Sequence, residues 1–410
     1  MHFRSSLAVT LIVLIDCCCL AQEFPNDQKS AVEAPLVEDH QPTAAKKFPS
    51  RGNPLLDPLQ VQQIEMLAQQ LGSHQFAQRE RAATALMQWG APAIGVLKQI
   101  QKSTSDPEVC DRVEALVRQM TDADTQSKID RFLAGESVRF EGWIRYRDIM
   151  GDSITARELF VELHLEHPGL LDALDSDPKE VALAMEAVNA KVQHQMFVQR
   201  RHPTQADTIA LVLPAFHKDV PILPGYETTI IGVLDRLSAQ QIRRDGRLEP
   251  GFRSMIGAWI SKCTLTNRSE SLAKAMQWDA TEGLPVAIST LSETDDLQTL
   301  VVAMQTIARF GSKDDAVELA DLLDDDRVTG ETGYSAGQLL QSQIRDVAIA
   351  TIAILNDVPL AEVGFPHAST HATFGFTILG IGYAQNQSEI RKKHLQQVEA
   401  MISPQPRAGS

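Results

Sequence analysis

The chain is 410 residues long, carries 53 acidic and 38 basic side chains for a formal net charge of −15, and is 43% hydrophobic. That length suffices for a sizeable core or an extended array. Basic residues gather only in short runs at 199–202, 242–247 and 390–394, so the acidic balance argues against a nucleic-acid or anionic-membrane partner.

Residues 1–21 read as a secretory signal peptide. Arg4 supplies the positive start, residues 7–15 form an apolar stretch, and Cys19-Leu20-Ala21 offers small residues around a cut after Ala21. An uncleaved N-terminal anchor is the alternative. A lipid anchor fits poorly, because Cys17 follows Asp16 and each of Cys18 and Cys19 follows another Cys. Such a cut leaves Cys110 and Cys263, enough for one disulfide. Each nevertheless aligns with an apolar helix face and reads better as a small core residue. No later segment holds 18 uninterrupted apolar residues, so no membrane insertion of the mature chain is expected.

Residues 22–56 are polar, Pro- and Ala-containing and without period, and read as a disordered linker. Order is expected from Asp57. Over 57–124 four short amphipathic helices follow in turn. The first puts Val61, Ile64, Leu67 and Leu71 on one face. The second puts Ala82, Ala83, Leu86 and Trp89 inward and ends at Gly90. The third carries Ile94, Leu97 and Ile100. The fourth starts at Asp106-Pro107 and carries Val109, Val113, Leu116 and Met120. A shift of 31 residues lays Arg79, Ala82, Ala85 and Leu86 on Cys110, Val113, Leu116 and Val117, the mark of a helical repeat.

The middle, 125–280, is helical but less regular. Asp177, Pro178 and Glu180 open a long helix with the stripe Val181, Met185, Val188, Val192 and Met196. Residues 209–216 (IALVLPAF) have strand composition but no partner of matching alternation, and 216–227 is a Pro-rich loop. Over 281–358 three more helices are expected. Their stripes are Leu297, Leu300, Val301, Met304 and Ile307; then Ala316, Val317, Leu319, Ala320 and Leu323; then Ile344, Val347, Ala348, Ile352 and Leu355. Residues 359–410 read as a loop, a short helix and a tail.

The spacing Arg79, Ala82, Ala85, Leu86 and its approach at Arg345, Ala348, Thr351, Ile352 resemble HEAT-like helical hairpins, the armadillo-like α-solenoid class. The resemblance covers 57–120 and 283–357. It implies an all-α, irregular α-solenoid behind a disordered N-terminal linker. It also implies that Arg79 and Arg345 pair with acids of neighbouring repeats and set the stacking register. Cys110 and Gln298 stand where the arginine is missing, so any such ladder is interrupted.

Chemistry-bearing motifs are few. Gly333-Tyr334-Ser335-Ala336-Gly337 matches the serine-hydrolase pattern G-x-S-x-G, and Asp346, Asp357, His367 and His371 follow it. A nucleophile elbow needs a buried strand before the serine, and the nine residues 324–332 hold one apolar side chain. The stretch therefore reads as a flexible insertion between helices, with Tyr334 as a candidate edge of a binding surface. His164 and His167 read as helix-end residues. His367 and His371 would share a helix face only if their segment were helical, and no third ligand stands nearby. Asp324-Asp325-Asp326 lacks calcium-loop spacing. No P-loop, dinucleotide fingerprint, Cys-x-x-Cys or His-Glu-x-x-His occurs, so no catalytic residue, metal or cofactor is expected. The expectation is an exported, non-catalytic helical scaffold or adaptor binding proteins or peptides. The alternative is an enzyme or ligand-binding domain in the middle region, with a polar pocket containing His217 or Tyr226.

Overall fold

The structure, a computed structural model, describes residues 56–402 except Ala336, together with the backbone but not the side chain of Ser335. The expected signal peptide, nearly all of the expected linker and residues 403–410 lie outside the described residues. The chain is mainly α-helical, with two small antiparallel sheets.

Four helices come first: α1 (Pro58–Gln70), α2 (Phe76–Trp89), α3 (Ala91–Ser103) and α4 (Pro107–Leu133). Their starts follow local chemistry. Asp57 and Gln60 form a capping box, and the Asp106 carboxylate accepts the Glu108 N–H at 2.9 Å. Gly90, at φ 62°, ends α2 and opens α3 with no intervening loop. The inward residues are Ile64 and Ala68, Ala82 and Leu86, Ala93 and Leu97, then Val109, Val113, Leu116 and Met120. Helix α1 packs on α2 and α3, α3 packs on α4, and α2 touches α4. Helix α4 runs on beyond residue 124 and delivers Ile129 and Phe132, the latter into the next core.

That core is built by α5 (Trp143–Met150), α6 (Ile154–Glu166), α7 (Pro168–Ala173), α8 (Pro178–Gln193), α9 (Gln205–Val212), α10 (Pro224–Leu234), α11 (Leu237–Arg244), α12 (Glu249–Ile260) and α13 (Arg268–Trp278). Helix α9 is its axis: α6, α8, α10, α11 and α12 all pack on it, and every residue from Ala206 to Val212 is buried. The strand-like composition of 209–216 is thereby explained. A helix covered on all sides is apolar all round, which a short window cannot separate from a buried strand. Trp143, Trp259 and Trp278 are core residues here, whereas Trp89 is half-buried.

The last core comprises α14 (Gly283–Glu293), α15 (Leu297–Phe310), a 3-10 helix (Lys313–Asp324), α16 (Ile344–Leu355) and α17 (Ser388–Ile402). Between the 3-10 helix and α16 lies an antiparallel hairpin, β1 (Val328–Ser335) and β2 (Gln338–Gln343). The second sheet pairs β3 (Thr370–His371) with β4 (Gly375–Phe376). Both correct the all-α expectation, and the first corrects the flexible insertion. The hairpin register slips between Val328 and Gly330 and again between Glu331 and Gly333, so each slip ends on a glycine. Gly337, at φ 78°, turns the chain back. Thr332, Leu340 and Ser342 face inward.

Residues 359–385 hold to the core without long elements. Phe365, Phe376, Ile381 and Tyr383 are buried. The Tyr383 hydroxyl donates to the Val363 carbonyl at 2.9 Å, and Gln305 of α15 donates to the Phe376 carbonyl at 2.8 Å. Gly382, at φ 138°, lets this segment lie against β2, where a Cβ would stand 2.8 Å from the Gln341 carbonyl oxygen.

Candidate docking cleft

Helix α15 carries a broad apolar stripe, all of it in contact with the last core. Leu300, Ala303, Met304 and Ile307 point into the last core, whereas Leu297, Val301 and Val302 are half-buried. Those three form one wall of a cleft of about 370 Å³, whose opposite wall is Thr329, Gly330, Glu331 and Thr332 of β1. Ile378 joins the apolar side, and Gln298 and Gln305 add amides.

Strand β1 pairs with β2 along one edge only. Among the described residues, the backbone hydrogen bond on its other edge runs from the Gly380 N–H to the Thr332 carbonyl at 2.9 Å. An incompletely paired strand edge beside an apolar wall suits an added extended strand. At its end Tyr334, paired in register with Leu339, is 72% exposed. Val328, at the start of β1, and Leu379, next to Ile378, are also exposed. Leu297, Val301, Val302 and Ile378 also pack against the last core, so the same side chains that close that core line the cleft.

The structure places Arg79 beside the following hairpin. Its guanidinium donates to the Ser73 carbonyl at 2.8 Å, lies 3.6 Å from the Glu108 carboxylate, and sits 5.6 Å from the Phe76 ring centre. Arg112 bonds the same Glu108 at 3.2 Å and lies 3.6 Å from Glu80. These partly exposed pairs contribute little individually; the bond to Ser73 ties the α1–α2 turn. Arg345 is arranged differently. Its Nε donates to Gln343 Oε1 at 2.7 Å, and it makes no ion pair among the described residues. The neighbouring Asp346 is the buried acid, and Arg391 of α17 meets it at 2.9 and 3.1 Å. In the sequence Arg391 stands within a short basic run at 390–394. The available signal was Asp346 itself, an acid in an otherwise apolar helix start.

The hydrolase-like motif sits in the hairpin, with Ser335 at the end of β1, and no helix follows its turn. Asp346 is engaged by Arg391, and His371 Nδ1 accepts the Thr373 and Phe374 N–H groups at 3.1 Å each. His367 and His371 do not lie on a common helix, and both are exposed. In the aspartate run the 3-10 helix ends at Asp324, and Asp325 accepts Arg327. That hydrogen bond holds the Asp325 carboxyl below the usual carboxylate range.

The middle core contains polar contacts the sequence did not signal. His167 Nε2 meets Asp207 Oδ1 at 2.8 Å across 40 residues, both groups buried. Glu227, fully buried, accepts the Thr264 N–H and hydroxyl, Asn267 Nδ2 and the Ser271 hydroxyl. Tyr226 donates its hydroxyl to the Leu211 carbonyl at 2.8 Å, and the carbonyl of His217 accepts Lys262 Nζ. Cys110 and Cys263 are both free, and burial pushes the Cys263 thiol up to about 12. Among the described residues no cluster of three metal-binding side chains occurs, and no helix is long and apolar enough to cross a membrane. Compared with known proteins, the chain matches no family model, no curated protein and no solved structure.

Proposed function

We propose that this protein is a non-catalytic helical scaffold or adaptor that docks an extended peptide or protein segment on the outer edge of β1. In this reading it is an irregular array of HEAT-like hairpins, exported through a cleaved signal peptide. The packing of α1 on α3 and of α2 on α4 supports the repeat reading, since stacked hairpins bury faces that one unit leaves open. The observation that carries the docking role is the β1 edge facing the Leu297, Val301, Val302 and Ile378 wall. Main-chain bonds along such an edge supply affinity, and alternate side chains entering the apolar wall supply specificity. Tyr334 supplies an exposed aromatic anchor at the end of the track.

The test is selection from a random linear peptide library. Selected peptides should protect amides at 329–332 from hydrogen exchange, and Val301→Asp or Tyr334→Ala should weaken them about tenfold, the effect of one interface anchor. Binders that map to another face, or that tolerate N-methylation of alternate amides, would overturn the docking role. The export half has its own readout: N-terminal sequencing of the mature protein should begin at Gln22, and retention of residues 1–21 would refute it.

A further inference from the structure

A second concavity, of about 440 Å³, lies between α8 and the segment that leads into α10, well away in sequence from the docking cleft. Met185 and the ring of Tyr226 form buried parts of its lining, and Pro221 and the exposed Leu223 complete the apolar side. The Tyr226 hydroxyl is already committed to Leu211, so that residue presents carbon surface. Gln193, at one end, has its amide nitrogen committed to Thr229 at 2.9 Å.

Two acceptors in the lining remain without a protein donor. Asn189 Oδ1 is buried and has no hydrogen-bond partner, although its half-buried side chain lines the cavity. Buried polar atoms are nearly always paired, and a half-turn of this amide exchanges its two ends and presents the oxygen to a donor in the cavity. Glu186 lies three residues earlier on α8, which places both on one face of the helix. Its carboxylate is exposed and enters no ion pair among the described residues. The lining contains no Lys or Arg. A carboxylate and an amide oxygen one turn apart, beside an apolar floor, are complementary to one chemical class. An organic ammonium has several N–H donors to satisfy both oxygens, and its hydrocarbon body fills the Met185–Tyr226 side. The volume lies in the range of small-molecule sites.

We propose that this pocket binds a small primary amine carried on an aromatic or branched apolar body, with Glu186 and Asn189 receiving the ammonium and Met185, Leu223 and Tyr226 packing the body. The inference is independent of the docking cleft: it uses none of its residues and predicts a different ligand.

The experiment compares three near-isosteres: 2-phenylethylamine, 2-phenylethanol and 3-phenylpropanoate. Binding to the full-length mature protein is followed by saturation-transfer NMR and by amide shifts on α8. The amine should bind about tenfold more tightly than the alcohol, and the carboxylate least, because the ammonium brings a charge opposite to Glu186 and several N–H donors, the alcohol one neutral O–H, and the carboxylate a repelled charge. Glu186→Gln should remove the amine's advantage and change the alcohol's affinity far less. Asn189→Leu should weaken the amine as well, whereas Leu183→Ala, outside the pocket lining, should alter none of the three. Equal binding of all three ligands, preference for the carboxylate, or no shift on α8 at millimolar amine would each overturn the proposal. Thermal melting of the Glu186→Gln variant should match the parent, since that side chain makes no ion pair among the described residues, so lost selectivity cannot be assigned to unfolding.

Discussion

Arg391→Ala is expected to lose about 3–5 kcal/mol of stability, the cost of breaking a buried ion pair and leaving one charge behind. Asp346 is 0% exposed, and Arg391 supplies two of its hydrogen bonds, at 2.9 and 3.1 Å. The same guanidinium reaches the Gln341 carbonyl at 3.3 Å and lies 4.9 Å from the Tyr383 ring centre. One side chain of α17 thus holds α16, β2 and the 359–385 segment. In the variant the carboxylate keeps only the Gln343 N–H at 2.9 Å. Burial raises the Asp346 pKa and Arg391 opposes that rise. A carboxyl raised in the folded state contributes stability that is present at low pH and lost as pH rises through its folded value. Removing Arg391 raises it further, so the deficit should be largest at neutral pH and shrink under mildly acidic conditions. Urea unfolding at both conditions checks this; a deficit below about 1 kcal/mol, the value of an exposed pair, would show that the bridge is dispensable. Limited proteolysis should also cut within α17 of the variant first, because that helix loses its main polar anchor.

His167→Ala should cost about 3 kcal/mol, since it strands a buried acid and opens a cavity beside the central helix. Asp207 sits in α9, where every residue from Ala206 to Val212 is buried, and its own side chain is fully buried. Its Oδ1 meets His167 at 2.8 Å, and its Oδ2 accepts the Thr204 N–H at 2.9 Å in a capping box. Burial alone would raise this carboxyl. The hydrogen bonds from His167 and Thr204, with the attraction of His167, outweigh burial and hold it below the usual range. A carboxyl lowered in this way contributes stability that is present above its unfolded pKa and lost as pH falls through the folded value. In His167→Ala two of those lowering contributions vanish and burial remains. The deficit should therefore be largest at neutral pH and shrink as pH falls, as followed by urea unfolding under both conditions with far-ultraviolet circular dichroism. A deficit of equal size at neutral and acidic pH would mean that His167 does not control the Asp207 charge.

The elements readable from the chain alone are those whose instructions are local. Asp106-Pro107 and Asp177-Pro178 start α4 and α8 because a carboxylate and a ring without an N–H satisfy a helix start with adjacent residues. The 3.6-residue stripes of α1 to α4, α15 and α16 identify their core faces for the same reason. The stripe on α15 places Leu297, Leu300, Val301 and Met304 at the last core, where all four are found, but it carries no sign that Leu297 and Val301 also line a cleft beside β1.

Tyr334 shows the boundary between the two sources of information. Composition set it in a polar, glycine-rich stretch with no buried strand before it, which was enough to disfavour a nucleophile elbow. That the stretch forms a strand depends on its pairing with β2 and on Thr332 meeting α15 and residues 378–381. The alternation that marks a strand is weak when one partner face is a single helix and the strand is bulged twice. The polar contacts obey the same division. His167 and Asp207 lie 40 residues apart, and Asp346 and Arg391 lie 45 apart. Each residue looks ordinary where it stands in the chain, as a helix-end histidine or one of several surface charges. Local hydrogen bonding and periodicity determined the helices; packing between distant segments decided which charges are buried, which strand edge stays open and which acceptors line a pocket. Burial and pairing are properties of what arrives from elsewhere, and a single stretch of chain carries no record of it.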